Sequence, residues 1–358
     1  MMRIQHQRLA AFVAKIFERL DTDPADAAVV AEHLVAANLK GHDSHGVGMV
    51  PTYVSNIRRG RADVKAHAKV TRDTGAVLLV DGQMGFGQVV GLEAVELAVS
   101  RAASTGVVCA GVRNCHHLGR IGTYGERVAE AGFVSIHFVN VVGHNPLVSP
   151  FGGRERRMST NPFCAVVPRP NGSPVVLDMA TSAIAQGKVR VAHMQGKPVP
   201  EGALVDHEGK PTTNPAVMFD EPLGALGPFG NHKGYGLALI CELLGGGLAG
   251  EWTAAQPSDH PNGTTIVNHM LMLVLDPNVF GGAEAFADEV DSMVEQLRAT
   301  TPAAGVERVM VPGEPELAAL AERESKGIPI DDNSWAGIVK AAQVVGMSDA
   351  EIDAQTRA

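Results

Sequence analysis

The chain has 358 residues, 45% of them hydrophobic and 19% charged, with 40 glycines, a profile that suits a loop-rich α/β enzyme and excludes a disordered or fibrous chain. Its net charge of −9 argues against a nucleic-acid partner, because neutralising phosphates takes clustered Lys and Arg. Any anionic substrate must therefore be held by a few local positive groups.

The N-terminal MMRIQHQRLAAF lacks the apolar stretch of a signal peptide. Leu9, Phe12, Val13, Ile16, Phe17 and Leu20 recur at helical spacing, so residues 6–20 are predicted to form a helix with one buried stripe. A second helix opens at DPAD, with Asp23 as cap, Pro24 at the first helical position and Asp26 at the positive dipole end. It stops at Gly41, which suits a left-handed terminating residue. From residue 70 the pattern alternates. GAVLLVDG (75–82) reads as a strand, 90–104 as a helix, VVCAGVRN (107–114) as a strand, TYGERVAEAG as a helix and FVSIHFVN (133–140) as a strand. Between 148 and 182 the segments VSPFGG, NPFCAVVP and PVVLDMATS are short and broken by Pro and Gly, as in a mixed sheet. A helix from Ala183, a long turn-rich loop (197–231) and a helix through YGLALICELLGGGLAG follow. The window 237–250 carries Glu242 and three successive glycines, which makes it a poor membrane span. TIVNHMLMLVLDP then reads as a buried strand. The next helix carries Phe286, Val290, Met293, Val294 and Leu297 on one face. VERVMVPGE (306–314) reads as a strand entering a loop, and two more helices end the chain. The four cysteines, Cys109, Cys115, Cys164 and Cys241, include no CxxC pair and are expected to be buried and reduced. The chain thus reads as soluble and cytoplasmic, with no membrane or nucleic-acid partner.

Three motifs carry candidate chemistry. GFGQVVG (85–91) follows a strand and precedes a helix, yet its third glycine is one position late for a dinucleotide fingerprint, and no acidic residue follows at the required distance. It reads as a glycine-rich turn. GHDSHGVGMVPTY (41–53) and RNCHHLGRIG (113–122) place histidines on glycine-ringed loops. Adjacent residues of an extended segment face opposite ways, so His116 and His117 are poorly placed to share a zinc, and general acid/base chemistry is the better use of these imidazoles. NHKGYGLALICELL (231–244) sets His232 and Lys233 ahead of a long apolar helix, an arrangement suited to a phosphate. LDMATS (177–182) ends a strand with residues that either cap a helix or meet a ribose or phosphate.

Taken in order, GHDSHGVGMVPTY, RNCHHLGRIG, PFGG, STNPF, LDMATSAIAQGKV, TTNPAVM, NHKGYGLALICELLGG and VMVPGE resemble the malate/L-lactate dehydrogenase family, the one distinct from the Rossmann-fold lactate and malate dehydrogenases. The resemblance runs over nearly the whole chain. It implies a mixed-sheet, non-Rossmann nicotinamide-binding α/β fold with a discontinuous all-helical domain: residues 1–70 plus 315–358 helical, carrying the substrate loop and dimerisation, and 71–314 binding the cofactor. The implied activity is NAD- or NADP-dependent interconversion of 2-hydroxy and 2-oxo acids by a homodimer with its site near the subunit interface. A cyclic-imine reductase of the piperideine-2-carboxylate type is the alternative. By the same resemblance Ser44, His45 and His117 are catalytic; family members differ in which of the two histidines transfers the proton, and His45 is taken here as the first choice, with no metal used. Met49, Tyr53, Arg120, His144 and Asn145 would meet the substrate. Thr160, Asn161, Asp178, Met179, Ala180, Thr181, Ser182, His232, Lys233, Pro312, Gly313 and Glu314 would meet the cofactor. Where the family often has an arginine that pairs with the substrate carboxylate, this chain has Met49. The expectation is that Arg120 takes over that clamp and that Met49 opens the pocket to larger or apolar side chains.

Overall fold

A computed structural model describes residues 2–250, 252–255 and 265–356. The chain opens with a short strand β1 (Met2–Ile4), helix α1 (His6–Glu18) and helix α2 (Pro24–Leu39), whose stripes of Leu9, Phe12, Ile16 and Leu34 pack into one apolar core. Asp23 stands at the start of α2, but its carboxylate goes to Lys65 Nζ at 3.0 Å and caps no backbone N–H. Gly41, at φ +82°, turns the chain out of α2. Two short 3-10 turns (43–45 and 47–49) then lead into α3 (Val50–Arg58).

The α/β part begins with β2 (Lys69–Asp73) and β3 (Val77–Asp81), then α4 (Gly87–Thr105), β4 (Val107–His116), α5 (Gly122–Glu130) and β5 (Val134–Val142). β6 (Phe163–Val167), β7 (Val175–Met179) and α6 (Gln186–Met194) follow, and α6 starts three residues later than predicted. The long loop contains the two-residue strands β8 (Leu204–Val205), β9 (Pro211–Thr212) and β10 (Ala225–Leu226) and a 3-10 turn over Pro215–Met218. Helix α7 (His232–Cys241) widens into a π-helical stretch over Glu242–Gly250, and β11 (Val267–Leu275) returns through the sheet.

The main sheet runs β2-β3-β4-β11-β5-β6-β7, parallel only between β3 and β4. It is a mixed sheet. β11 pairs on both sides and is covered on both faces, which is why its sequence VNHMLMLVL is nearly continuously apolar. The glycines before it allow close approach. A Cβ on Gly246 would sit 2.3 Å from the Asn140 amide, and one on Gly250 would sit 2.2 Å from the His269 ring.

Helix α8 (Ala283–Arg298) forms as predicted, although of its apolar stripe only Val294 is buried, while Met293 and Leu297 remain exposed. The strand predicted to enter a loop within 306–314 does not form. Val311 reaches the edge strand β7, where Val176 N–H donates to Pro312 O at 3.1 Å, but Pro312 has no N–H to return and Gly313 turns away at φ +99°. The chain then ends with α9 (Glu314–Lys326), strand β12 (Ile328–Ile330), α10 (Asp332–Val344) and α11 (Asp349–Thr356), three helices where two were predicted. β12 pairs with β1, and residues of 328–352 share a core with residues 4–89. A second core fills the space around β3, β4, β5 and β11. No described helix is long and apolar enough to cross a membrane.

Candidate active site

The loop after α2 is tied down from beneath. Asn38 Oδ1 accepts the Val47 N–H at 2.7 Å, and its Nδ2 donates to Asp43 Oδ1 at 2.7 Å. Gly46 lies flat on that amide, and any Cβ there would come within 2.1 Å of it. From the far end of the chain Arg323 forks onto Asp43 at 2.6 and 3.1 Å, and Glu316 lies 3.2 Å from His42 Nε2. His42 and Asp43 are thereby occupied, which leaves Ser44 and His45 at the crest. Ser44 Oγ is 3.0 Å from His45 Nδ1.

The second histidine loop leaves the end of β4. Consecutive residues of an extended chain face opposite sides, and the pair divides accordingly. His116 turns inward to Asn56 Nδ2 at 2.9 Å, whereas the His117 ring stacks on His45 with centroids 5.5 Å apart and planes at 18°. Behind His117 lies Tyr53, its Oη 2.7 Å from His117 Nδ1. Gln88 Nε2 in turn donates to Tyr53 Oη at 2.8 Å. Tyr53 was expected to meet substrate, but it is fully buried and its hydroxyl is spent within the protein. The one three-ligand group among the described residues is Asp23, Asp26 and His67, and it includes none of these histidines.

Electrostatics separates the imidazoles. Burial lowers the pKa of His45, with His42 and Arg120 adding to the effect and the Asp178 carboxylate opposing it. His117 is held well below the ordinary histidine range by burial, and next by the charge that His45 and the other neighbouring histidines would carry. His144 is half-buried, with Nδ1 on Asn145 O at 2.7 Å and Nε2 on Ser159 Oγ at 3.2 Å, and burial lowers its pKa too. Asn145 itself is exposed. Met49 is half-buried against the helical core.

Arg120 does not stand where a carboxylate clamp must stand. It is 2% exposed, and its two terminal nitrogens bind Glu126 at 2.9 and 3.0 Å, with Asp178 3.8 Å from Nε. Lys40 completes the cluster on Glu126. A guanidinium so matched is not free for a ligand.

Of the four segments expected at the cofactor, three meet. Thr181 donates from its N–H and its hydroxyl to Thr160 O, and from its hydroxyl to Asn161 O, while Phe229 N–H reaches Thr181 O at 3.0 Å. The 178–182 turn thus joins the 160–161 turn to the start of α7. Met179 and Ala180 are half-buried there, Ser182 Oγ bonds to Ile184 O, and Asp178 Oδ2 accepts the Gly122 N–H at 2.7 Å. The fourth segment, Pro312–Glu314, borders the other end of β7. Glu314 has both oxygens engaged, by Arg298 and by the Val311 N–H. Asn161 likewise faces inward, donating to Glu242 at 2.6 Å. The anion site expected from the backbone at α7 is also changed, because the N–H groups of Lys233 and Gly234 already bond to Gly230 and Phe229. What remains open is the pair of side chains, since His232 and Lys233 are exposed. One cation and one imidazole at the Thr181–Phe229 junction fit an anionic phosphate group.

Sequence reasoning missed Gln88, Asn38, Glu126 and Arg323. Only Gln88 had a local signal, as a polar residue between the glycines and valines of GFGQVVG.

A family model for malate/L-lactate dehydrogenase matches residues 4–339. The chain belongs to that family. It is 44% identical over 352 residues to hydroxycarboxylate dehydrogenase B of Escherichia coli O157:H7, covering 98% of this chain and 97% of that one. It is 42% identical over 327 residues to an L-lactate dehydrogenase of Cupriavidus necator, covering 91% and 93%. Among solved structures, the delta1-piperideine-2-carboxylate reductase of Pseudomonas syringae pvar. tomato superposes with a TM-score of 0.82 at 33% identity, covering 95% of this chain and all of that one. Members of this family are hydroxy-acid oxidoreductases that in general use nicotinamide cofactors.

Proposed function

We propose that this protein is an NAD- or NADP-dependent 2-hydroxy-acid dehydrogenase that reduces 2-oxo acids, with His45 as the proton donor. The observation that carries the reading is the stacked His45–His117 pair, with Ser44 on Nδ1 of the first ring and Tyr53 on Nδ1 of the second. When bound, a reduced nicotinamide supplies a hydride to the 2-oxo carbon, and His232 and Lys233 are the residues free to hold its phosphates. Negative charge then develops on the carbonyl oxygen. Ser44 orients the His45 ring, and the protonated ring stabilises that charge and transfers its proton to the oxygen. Asp178 favours the charged form of His45, and an anionic substrate beside the ring acts in the same direction. Oxidation of the hydroxy acid requires the same ring neutral. Met49, in place of an arginine, widens the pocket towards larger or apolar substrates.

The second reading, reduction of a cyclic imine, is favoured by the likeness to the piperideine-carboxylate reductase. We further infer a cytoplasmic homodimer. Leu239, Ile240, Leu243 and Leu248 line an apolar face along α7 and its π-helical extension, the last of them 66% exposed, and a second copy would cover it.

The test is a panel pairing NADH and NADPH with oxaloacetate, 2-oxoglutarate, pyruvate, hydroxyphenylpyruvate and piperideine-2-carboxylate, followed by nicotinamide absorbance. Turnover of 2-oxo acids that falls on the order of a hundredfold or more in His45→Ala supports the reading. Turnover of the imine alone moves the protein to the second.

A further inference from the structure

GFGQVVG lacks the spacing of a dinucleotide fingerprint, and the structure gives its residues another place. Gly87 opens α4 directly against the carbonyl groups of His116 and His117, where a Cβ would come within 2.4 Å of both oxygens. That contact places the next residue, Gln88, underneath the active site. Gln88 and Tyr53 are both fully buried, so their hydrogen bonds must be made inside the protein. Gln88 Nε2 donates into Tyr53 Oη at 2.8 Å. The phenol has one proton, and the acceptor within reach is His117 Nδ1, at 2.7 Å. Burial also keeps the phenol protonated. With the Gln88 amide as the structure orients it, its Oε1 unpaired among the described residues, the chain runs from Gln88 to Tyr53 to His117. An imidazole that accepts at Nδ1 and is neutral must carry its proton on Nε2. Among the described residues nothing hydrogen-bonds that nitrogen.

We propose that Gln88 and Tyr53 are positioning residues that lock His117 in its Nε2–H tautomer, so that it offers the substrate oxygen a hydrogen-bond donor and never a base. The proposal rests on the dehydrogenase reading and sharpens it. The two histidines divide the work: one proton reaches the oxygen, from His45, while His117 keeps its own and steadies the developing charge. Neither residue touches substrate. They act through His117 alone.

The tautomer can be read in the resting full-length protein by nitrogen–proton NMR of isotope-labelled histidine above neutral pH, with His117→Asn assigning the signal. The expected spectrum shows His117 protonated on Nε2 and bare on Nδ1. In Gln88→Met, which keeps the volume and removes the donor, Tyr53 is free to reverse, so the Nδ1–H form should appear and kcat/KM for 2-oxo acids should fall on the order of tenfold. Tyr53→Phe, should the first variant misfold, should likewise mix the tautomers. An Nδ1–H signal in the unmodified protein overturns the proposal. So does a single unshifted Nε2–H signal with unchanged kcat/KM in a folded Gln88→Met. The expected tautomer in a protein that reduces no 2-oxo acid upholds the lock and refutes the dehydrogenase reading.

Discussion

At the scale of single residues, four histidines of the two loops share one chemistry and differ only in surroundings. His42 is spent on Glu316 and His116 on Asn56, while His45 and His117 are left facing one another. Because burial lowers the His45 pKa, the fraction able to donate a proton shrinks as pH rises. We therefore expect kcat/KM for reduction to fall through an inflection below the ordinary histidine value, and kcat/KM for oxidation to rise through the same inflection, both read from initial rates across pH. Arg120 makes the opposite point, that a charge placed near a site need not serve it. Arg120→Leu should strip the buried Glu126 carboxylate of its bidentate partner and lower stability by about 3–5 kcal/mol, as measured by urea unfolding. An unchanged midpoint with a lost affinity for 2-oxo acids would restore the clamp.

At the scale of elements, helix α4 and helix α9 matter more than their own side-chain chemistry suggests. Each is a strut. The start of α4 presses on the end of β4 through Gly87, and α9 reaches back with Glu316 and Arg323 to hold His42 and Asp43. Gly87→Ala adds one methyl group against two backbone oxygens that have no flexible end to yield. The expected loss is about 1–3 kcal/mol of stability by chemical denaturation, accompanied by a fall in kcat/KM because His117 must move with its carbonyl. A variant with full stability and activity would mean that α4 can shift freely.

At the scale of the whole molecule, buried neutral histidines make the fold acid-sensitive. Burial pushes His33 and His137 down to about 3 and His116 to about 4. The unfolded chain binds these protons near 6.5 and the folded chain does not, so stability is complete above that value and is lost as pH falls. Each group contributes a slope approaching 1.4 kcal/mol per pH unit, roughly, between 6.5 and its folded value. Thermal unfolding between neutral pH and pH 5 should show it, and His137→Gln should flatten the slope by about that amount. A slope unchanged in this variant would mean that His137 titrates normally in the fold.

What the sequence determined by itself was set by local pattern. The stripe of α1, the proline start of α2, the continuous apolar run of β11 and the glycine at position 41 each follow from residues within one or two turns of each other, and the structure has them where the pattern put them. The order of the family's motifs along the chain was legible in the same way. Tertiary structure decided whatever depends on a distant partner. The apolar spacing of 306–311 suggested a strand, but a strand exists only if a neighbour can pair with it, and Pro312 ends the approach to β7. Arg120 lay three residues from His117 in sequence and looked available. Glu126, one turn along α5, and Lys40, from the end of α2, show that it is not. Gln88 belonged to a motif read as no fingerprint, and its proposed role comes only from the packing of α4 under Tyr53. The physical reason is common to all three: hydrophobic periodicity is written into neighbouring residues, whereas the partner of a buried polar group is fixed by whichever part of the chain folds against it.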